Sequence, residues 1–397
     1  MIFNFHRPGS LNTGAPRTPN RPLREPGELQ PENTVPAEEI PDYKNARVFI
    51  TLQKKPSRAK KNEQNQDNVL THAMTGLFGV MDGLGGKPYG DLASKAVERQ
   101  LPEQFSLSEV EAATMAPEEL IEKLTEMSAE KFDGRSDYIN QKAVLHKKAA
   151  ELVAKDAGLA RKSFALLQAM QNINRAVQAT RGETTACVGL IHETAGGEKY
   201  AVIANVGDSG AFIRRSDGRV ERVTPEDSVQ EALKEIGAKI DNLDLDEYLR
   251  TNSDPISGKI RADLPIKIPL TLDNVLAIGY TKDDFVKFEK QGKKTLDFDY
   301  YGLKATLTSS LGMGKTPTPS VRVIKIEKGD ELLFCTDGVI DKYEDEEKQT
   351  TDLEELGKDL ELGTDPIERL NSLRVMATQR MTYKISDDIA MVLMQVK

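Results

Sequence analysis

Four short apolar runs in this 397-residue chain stop at an aspartate or start from one, and that coincidence constrains the fold more than any other feature. Leu77-Phe78-Gly79-Val80-Met81 ends in Asp82-Gly83, and Ala201 to Val206 ends in Gly207-Asp208-Ser209. Leu332 to Cys335 leads to Asp337-Gly338, and Ile389 to Val396 follows Asp387-Asp388 directly. Such runs read as strands. A single aspartate at a strand end is ordinarily a turn or cap residue. Four of them, three beside glycine, point to carboxylates gathered in one cleft if the strands are neighbours. Clustered carboxylates repel unless protonated or neutralised by a cation. Oxygen-only ligands favour magnesium or manganese over zinc or copper. Glycine after aspartate permits close backbone approach, so that its carbonyl can join the shell.

The rest of the chain reads as strands, then helices, then strands, an α+β arrangement rather than a regular βαβ wind. Val48, Ile50 and Leu52 alternate as in a half-buried strand, and a turn rich in Lys and Asn follows before Leu77. Gly90 to Ala179 has helical periodicity, and strands resume at Ala186. Between Thr224 and Leu307 the pattern is broken by Gly, Pro and Asp yet is too apolar for a loop, so residues around 240–300 are expected to form a small subdomain. Residues 1–42 hold eight of the nineteen prolines and are expected to be a disordered tail, with one domain over 43–397.

Other chemistries fail on the residues. With 54 Lys and Arg against 63 Asp and Glu the net charge is −9, a poor balance for a nucleic-acid or anionic-membrane binder. No apolar run suits a spanning helix or signal peptide, so a cytoplasmic location is expected. The two cysteines, Cys187 and Cys335, sit in apolar runs and cannot make a disulfide framework. The four histidines form no HExxH pair. Gly312-Met313-Gly314-Lys315-Thr316 imitates a P-loop, but Ser309 stands where the first glycine belongs and Pro317 opposes the following helix.

At these same residues the sequence resembles the PPM family, the metal-dependent protein phosphatases of 2C type. Asn65-Gln66-Asp67 resembles the family's early element, and Phe78 to Gly86 resembles FGVxDGxGG, continued by Gly90-Asp91-Leu92-Ala93-Ser94 in the bacterial manner. Thr184-Thr185, Ala204 to Ser209, Leu307 to Gly312, Asp330 to Asp341 and Ser386 to Ile389 follow in the family's order. The resemblance implies an αββα four-layer sandwich of two antiparallel sheets flanked by helices, with an inserted flap over 240–300. It implies a centre of two magnesium or manganese ions, with a weaker third. Asp82 would bridge the ions and Gly83 would lend its carbonyl. Asp337 and Asp387 would complete one shell, Asp67 would hold bound water, and Asp208 with Asp337 would take the third ion. Asp82 and Asp337 would be the catalytic pair, activating a bridging water for attack on phosphoserine or phosphothreonine. The implied partner is a phosphoprotein substrate, and the chain is expected to act as a monomer.

Four positions depart from the family pattern. Asn62 stands where members often carry a phosphate-binding arginine, leaving Arg58, Lys60 or Lys61 as substitutes from the same loop. Leu84 stands where eukaryotic members have histidine, as in the bacterial branch. Glu183 replaces a glycine and Asp388 an asparagine. The competing readings are a pseudophosphatase that binds phosphoprotein without turnover, and a phosphatase dedicated to one regulatory phosphoprotein.

Overall fold

The computed structural model describes residues 34–397 apart from 42, 54–64, 85–88, 130–150, 152–153, 155, 241–242, 245–246, 249–265, 281, 299, 314–316, 318, 342–343, 346–349, 352, 362–364 and 381–386. Two antiparallel sheets form the frame. The first has six strands in the spatial order β1 (Thr34–Ile40), β2 (Ala46–Gln53), β17 (Ile389–Val396), β14 (Glu331–Cys335), β7 (Gly210–Arg214) and β8 (Val220–Arg222). The second has five, in the order β13 (Ser320–Ile326), β6 (Lys199–Val206), β5 (Ala186–Glu193), β4 (Leu77–Met81) and β3 (Asn68–His72). Three two-stranded ribbons complete the described strands: β9 (Lys239–Ile240) with β10 (Leu243–Asp244), β11 (Ile266–Pro269) with β12 (Thr295–Phe298), and β15 (Glu344–Asp345) with β16 (Thr350–Thr351).

Side-chain alternation along the central strands divides the interior into layers. Phe78 and Val80 of β4, Leu332 and Phe334 of β14, and Ala390, Val392 and Met394 of β17 meet between the two sheets. The rings of Phe78 and Phe334 cross edge to face there at 5.3 Å. From the opposite face of the five-stranded sheet, Leu77 and Met81 pack against α1 (Gly90–Ala113), α2 (Pro117–Ala129), α3 (Ala157–Asn172) and α4 (Asn174–Thr180). Leu333, Met391 and Leu393 face outward from the six-stranded sheet. They meet Leu356 and Leu360 of α10 (Leu353–Leu360) and Leu370 and Leu373 of α11 (Pro366–Arg380), with the short α9 (Asp337–Ile340) beside them. The architecture is the expected αββα sandwich. β4 and β14 are buried on both faces, which explains why Leu77–Met81 and Leu332–Cys335 appear in the sequence as unbroken apolar runs.

The excursion between β8 and β13 carries α5 (Val229–Glu235), α6 (Leu272–Ala277), α7 (Lys282–Lys290) and α8 (Tyr300–Ala305). It has a small core of its own, in which Val229, Leu233, Ile266, Ile268, Val275, Leu296 and Leu303 meet. No helix among the described residues is long and apolar enough to cross a membrane.

Two expectations need correction. Residues 34–40 are not tail: they form β1, an edge strand paired with β2 from Thr34 opposite Gln53 to Ile40 opposite Val48. Pro36 is tolerated because the register shifts between Val35 and Glu38, and an edge strand need not donate every N–H. Mostly exposed side chains gave β1 no apolar alternation, so composition pointed the wrong way. The rest of the expected tail, residues 1–33 and 42, lies outside the described residues. Part of the expected turn after residue 53 is also ordered as strand β3, whose only fully buried side chain is Leu70.

The edge has a measurable role. Thr51 Oγ1 donates to the Val35 carbonyl at 2.8 Å, and the Ala37 amide donates to Asn371 Oδ1 of α11 at 3.3 Å. Truncation to residue 41 is expected to destabilise the protein by about 2–4 kcal/mol, a few ladder bonds at about 1 kcal/mol each. Truncation to residue 33 removes none of these contacts. Thermal melts of the two variants check the difference.

Candidate metal centre

Strand directions bring the predicted aspartates to one end of the sandwich. β4 and β6 both pair antiparallel with β5, so they run the same way, and Asp82 and Asp208 follow their C-terminal ends. β17 runs antiparallel to β14 with Met391 opposite Cys335, which sets Asp387 beside Asp337. Asn68 opposes Met81 across β3 and β4, which sets Asp67 beside Asp82. The four strands are not all neighbours in one sheet: β14 and β17 pair in the six-stranded sheet, while β4 and β6 flank β5 in the other. Two of the four strand ends come from each sheet, and the carboxylates meet where the sheets face each other.

Asp82, Asp208 and Asp337 bring carboxylate oxygens within 4.8 Å of one another. Asp208 Oδ1 and Asp337 Oδ1 are buried without a hydrogen-bond partner. A buried polar atom left unpaired costs about 1–3 kcal/mol, so nearby atoms normally supply a partner. Burial pushes the Asp82 carboxyl well above the usual carboxylate range, and Asp337, Asp67, Asp387 and Asp208 push it further. Asp337 is raised in the same way, by burial and then by Asp387, Asp208, Asp341 and Asp67. Asp67 is raised by burial and then by Asp388 and Asp387, against hydrogen bonds from Thr336 and Asp82. Asp208 is raised to about 7 by burial, Glu226 and Asp341. Oxygen donors, orphaned lone pairs and mutual repulsion together fit hard divalent cations.

The neighbouring chain fixes these groups. Thr184 Oγ1 and the Thr185 amide donate to the Asp82 carbonyl at 2.7 and 2.8 Å. The Asp82 amide in turn donates to Thr185 Oγ1 at 3.0 Å, and Thr185 Oγ1 meets Ser209 Oγ at 2.7 Å. Gly83 lies flush against α1, where a β-carbon would come within 2.3 Å of the Gly90 carbonyl oxygen. Gly338 is held still more closely, since a β-carbon there would reach 1.9 Å from the Asp388 carbonyl oxygen. Thr336 Oγ1 donates to Asp67 Oδ2 at 2.7 Å and accepts from the Ala390 amide at 3.0 Å, tying Asp67 to β17.

Asp388 adds charge but its Oδ2 accepts from the Gln66 amide at 2.8 Å, while its own amide donates to Asp387 Oδ1 at 2.8 Å. Sequence reasoning missed Glu226, Asp341 and Thr336. It also missed Arg222, whose Nη1 pairs with Glu226 at 3.1 Å and whose charge opposes the rise at Asp208. None of these carries an apolar-run signature, and Asp341 alone had a clue in lying close to Asp337. Arg58, Lys60, Lys61 and Asn62 lie outside the described residues, as do Gly85 and Gly86.

A family model described as Protein phosphatase 2C matches residues 56–364. Solved structures with a similar fold include the serine/threonine phosphatase PstP/Ppp of Mycobacterium tuberculosis, at 16% identity over 89% of this chain and 100% of that one, with a TM-score of 0.48. The PPM Ser-Thr phosphatase MsPP of Mycobacterium smegmatis is 18% identical over 88% and 98% of the two chains, at a TM-score of 0.48. Stp1 of Staphylococcus aureus is 16% identical over 91% and 98%, at 0.49. No curated protein matches the sequence.

Proposed function

The chain belongs to the protein phosphatase 2C family, and from that premise we propose that it hydrolyses phosphoserine and phosphothreonine in phosphoproteins with the help of magnesium or manganese. The observation that carries the reading is the orphaned pair, Asp208 Oδ1 and Asp337 Oδ1, set among carboxylates that repel one another in a chain of this family. On this reading Asp82, Asp337 and Asp387, with the Gly83 carbonyl, hold two ions. Asp67 serves the water around one of them, and Asp208 with Asp337 serves a weaker third. Such ions, when bound, supply charge neutralisation at the phosphoryl oxygens and lower the pKa of the attacking water.

The chain's own residues supply position. The Thr184–Thr185 clamp on the Asp82 main chain and the Thr336 bond to Asp67 hold the carboxylates before any ligand arrives. That preorganisation spares reorganisation at the moment of reaction. Arg222 offsets part of the negative charge behind Asp208. The excursion around 240–300, with its separate core, is read as a flap that contacts protein substrates. Arg58, Lys60 or Lys61 is read as the phosphate-binding cation. Phosphate release from a phosphothreonine peptide, measured with manganese and then with a chelator in excess, tests the reading. Equal release in both conditions, or none in either, would defeat it.

Leu84 sets a kinetic expectation. Its amide donates to the Glu183 carbonyl at 2.9 Å, which fixes its backbone beside Gly83. Its side chain cannot donate a proton, so the leaving oxygen would take one from water or be stabilised by a bound metal. A positioned general acid typically contributes about 10²–10⁴-fold. The wild type should therefore favour aryl phosphates over alkyl phosphates by about 10²-fold or more. A leaving-group series checks this, and insensitivity with phosphoryl transfer rate-limiting would point to another acid.

A further inference from the structure

Two described residues other than glycine have a positive φ, Tyr89 at 73° and Arg181 at 63°. They flank a single contact. Gly182 lies so close to the Tyr89 carbonyl oxygen that a β-carbon on it would come within 2.1 Å. The contact adjoins the metal-site loop on both sides. Gly90, next to Tyr89, packs on Gly83, and Glu183 and Thr185 accept from and donate to the backbone of Leu84 and Asp82. The left-handed region disfavours any side chain but glycine's. Arg181 caps the C-terminus of α4, a place where glycine is the usual choice. Tyr89 precedes α1, where Ser, Thr, Asp or Asn in an extended conformation is usual, and it makes no side-chain cap bond.

Neither side chain recovers that cost by burial. Tyr89 is 47% exposed, and Leu92, three residues further along α1, is exposed to the same extent. Arg181 is exposed as well. Strained residues of this kind cluster at functional sites. Here a half-exposed aromatic residue and an exposed arginine adjoin the loop that carries Asp82 and Gly83, beside a cluster that otherwise presents carboxylates. We propose that Tyr89 and Arg181 form a ledge that binds the polypeptide on either side of the phosphorylated residue, the ring taking an apolar side chain and the guanidinium an acidic one. This rests on the phosphoprotein reading above. It assigns substrate contact to two residues that hold no metal.

The test uses the full chain, manganese, a phosphothreonine peptide with apolar and acidic flanking residues, and a small aryl phosphate. Tyr89→Gly and Arg181→Gly each delete a side chain while relaxing the backbone, so both should melt at or above the wild-type temperature. Each should raise KM for the peptide about tenfold, the size of an ordinary interface anchor, with kcat changing less than twofold. The ratio of kcat/KM for peptide to that for aryl phosphate should fall about tenfold, and Tyr89→Phe should retain the wild-type ratio. Glycine variants that gain stability and keep the wild-type ratio would overturn the ledge. So would a Tyr89→Phe loss as large as that of Tyr89→Gly. A wild type that hydrolyses aryl phosphate but no phosphopeptide would overturn the phosphoprotein reading itself, a result separate from either of these.

Discussion

Asp82→Asn is expected to be inactive and yet more stable than the wild type when both are free of metal. Asparagine keeps the shape of the side chain and can donate to a neighbouring carboxylate, so it removes a charge that Asp337, Asp67, Asp387 and Asp208 all oppose. Relief of one buried carboxylate opposed by its neighbours is worth about 1–3 kcal/mol. The same change removes the ligand read as shared between two ions, and activity should fall by at least about 10³-fold. The pH dependence follows with a definite sign. Asp208 has its folded pKa raised to about 7 from an ordinary 3.8, so the fold binds more protons than the unfolded chain between those values. Stability of the metal-free wild type at this group is present below about pH 4 and declines as pH rises through about 7. Asp208→Asn should flatten that decline. Chemical denaturation across pH 4–8, without metal, checks both variants, and a wild-type stability that rises steadily over that range would contradict the arrangement.

Adding manganese should reverse the wild-type penalty and do nothing comparable for Asp82→Asn. A ligand that binds only the folded state contributes about 2.7 kcal/mol at one hundred times its dissociation constant. The wild type should therefore melt several degrees higher with manganese, and a chelator should remove both that gain and the activity. Magnesium should act in the same direction. A melting temperature unchanged across a manganese titration would remove the basis for a metal centre.

The sequence was most readable where burial is most complete. β4, β14 and β17 are covered on both faces, so their residues are almost all apolar and the aspartates beside their ends stand out. β1 and β3 are edges with few buried side chains, and neither left a periodic trace. Asp67 was found through its motif rather than through its strand. The residues that tune the site were harder to see, because Thr336, Glu226 and Arg222 act through contacts between segments far apart in the chain. Thr336 joins Asp67 across 269 positions, a relation that no local pattern records. Glu226 and Arg222 lie four residues apart, but only the folded sheet shows them to be backing Asp208.

The placement of β17 between β2 and β14 has a consequence for biosynthesis. The six-stranded sheet stays split into two unjoined halves until residues 389–396 have been made, because its central position is filled by the strand synthesised last among those described. Pairings between residues so far apart in the chain form slowly, and meanwhile leave the flanking strands β2 and β14 with open edges. Asp387 arrives with that same strand. A ribosome-bound chain that has not reached it holds neither a closed sheet nor the full set of carboxylates, so the proposed metal centre is the last part of the fold to be completed.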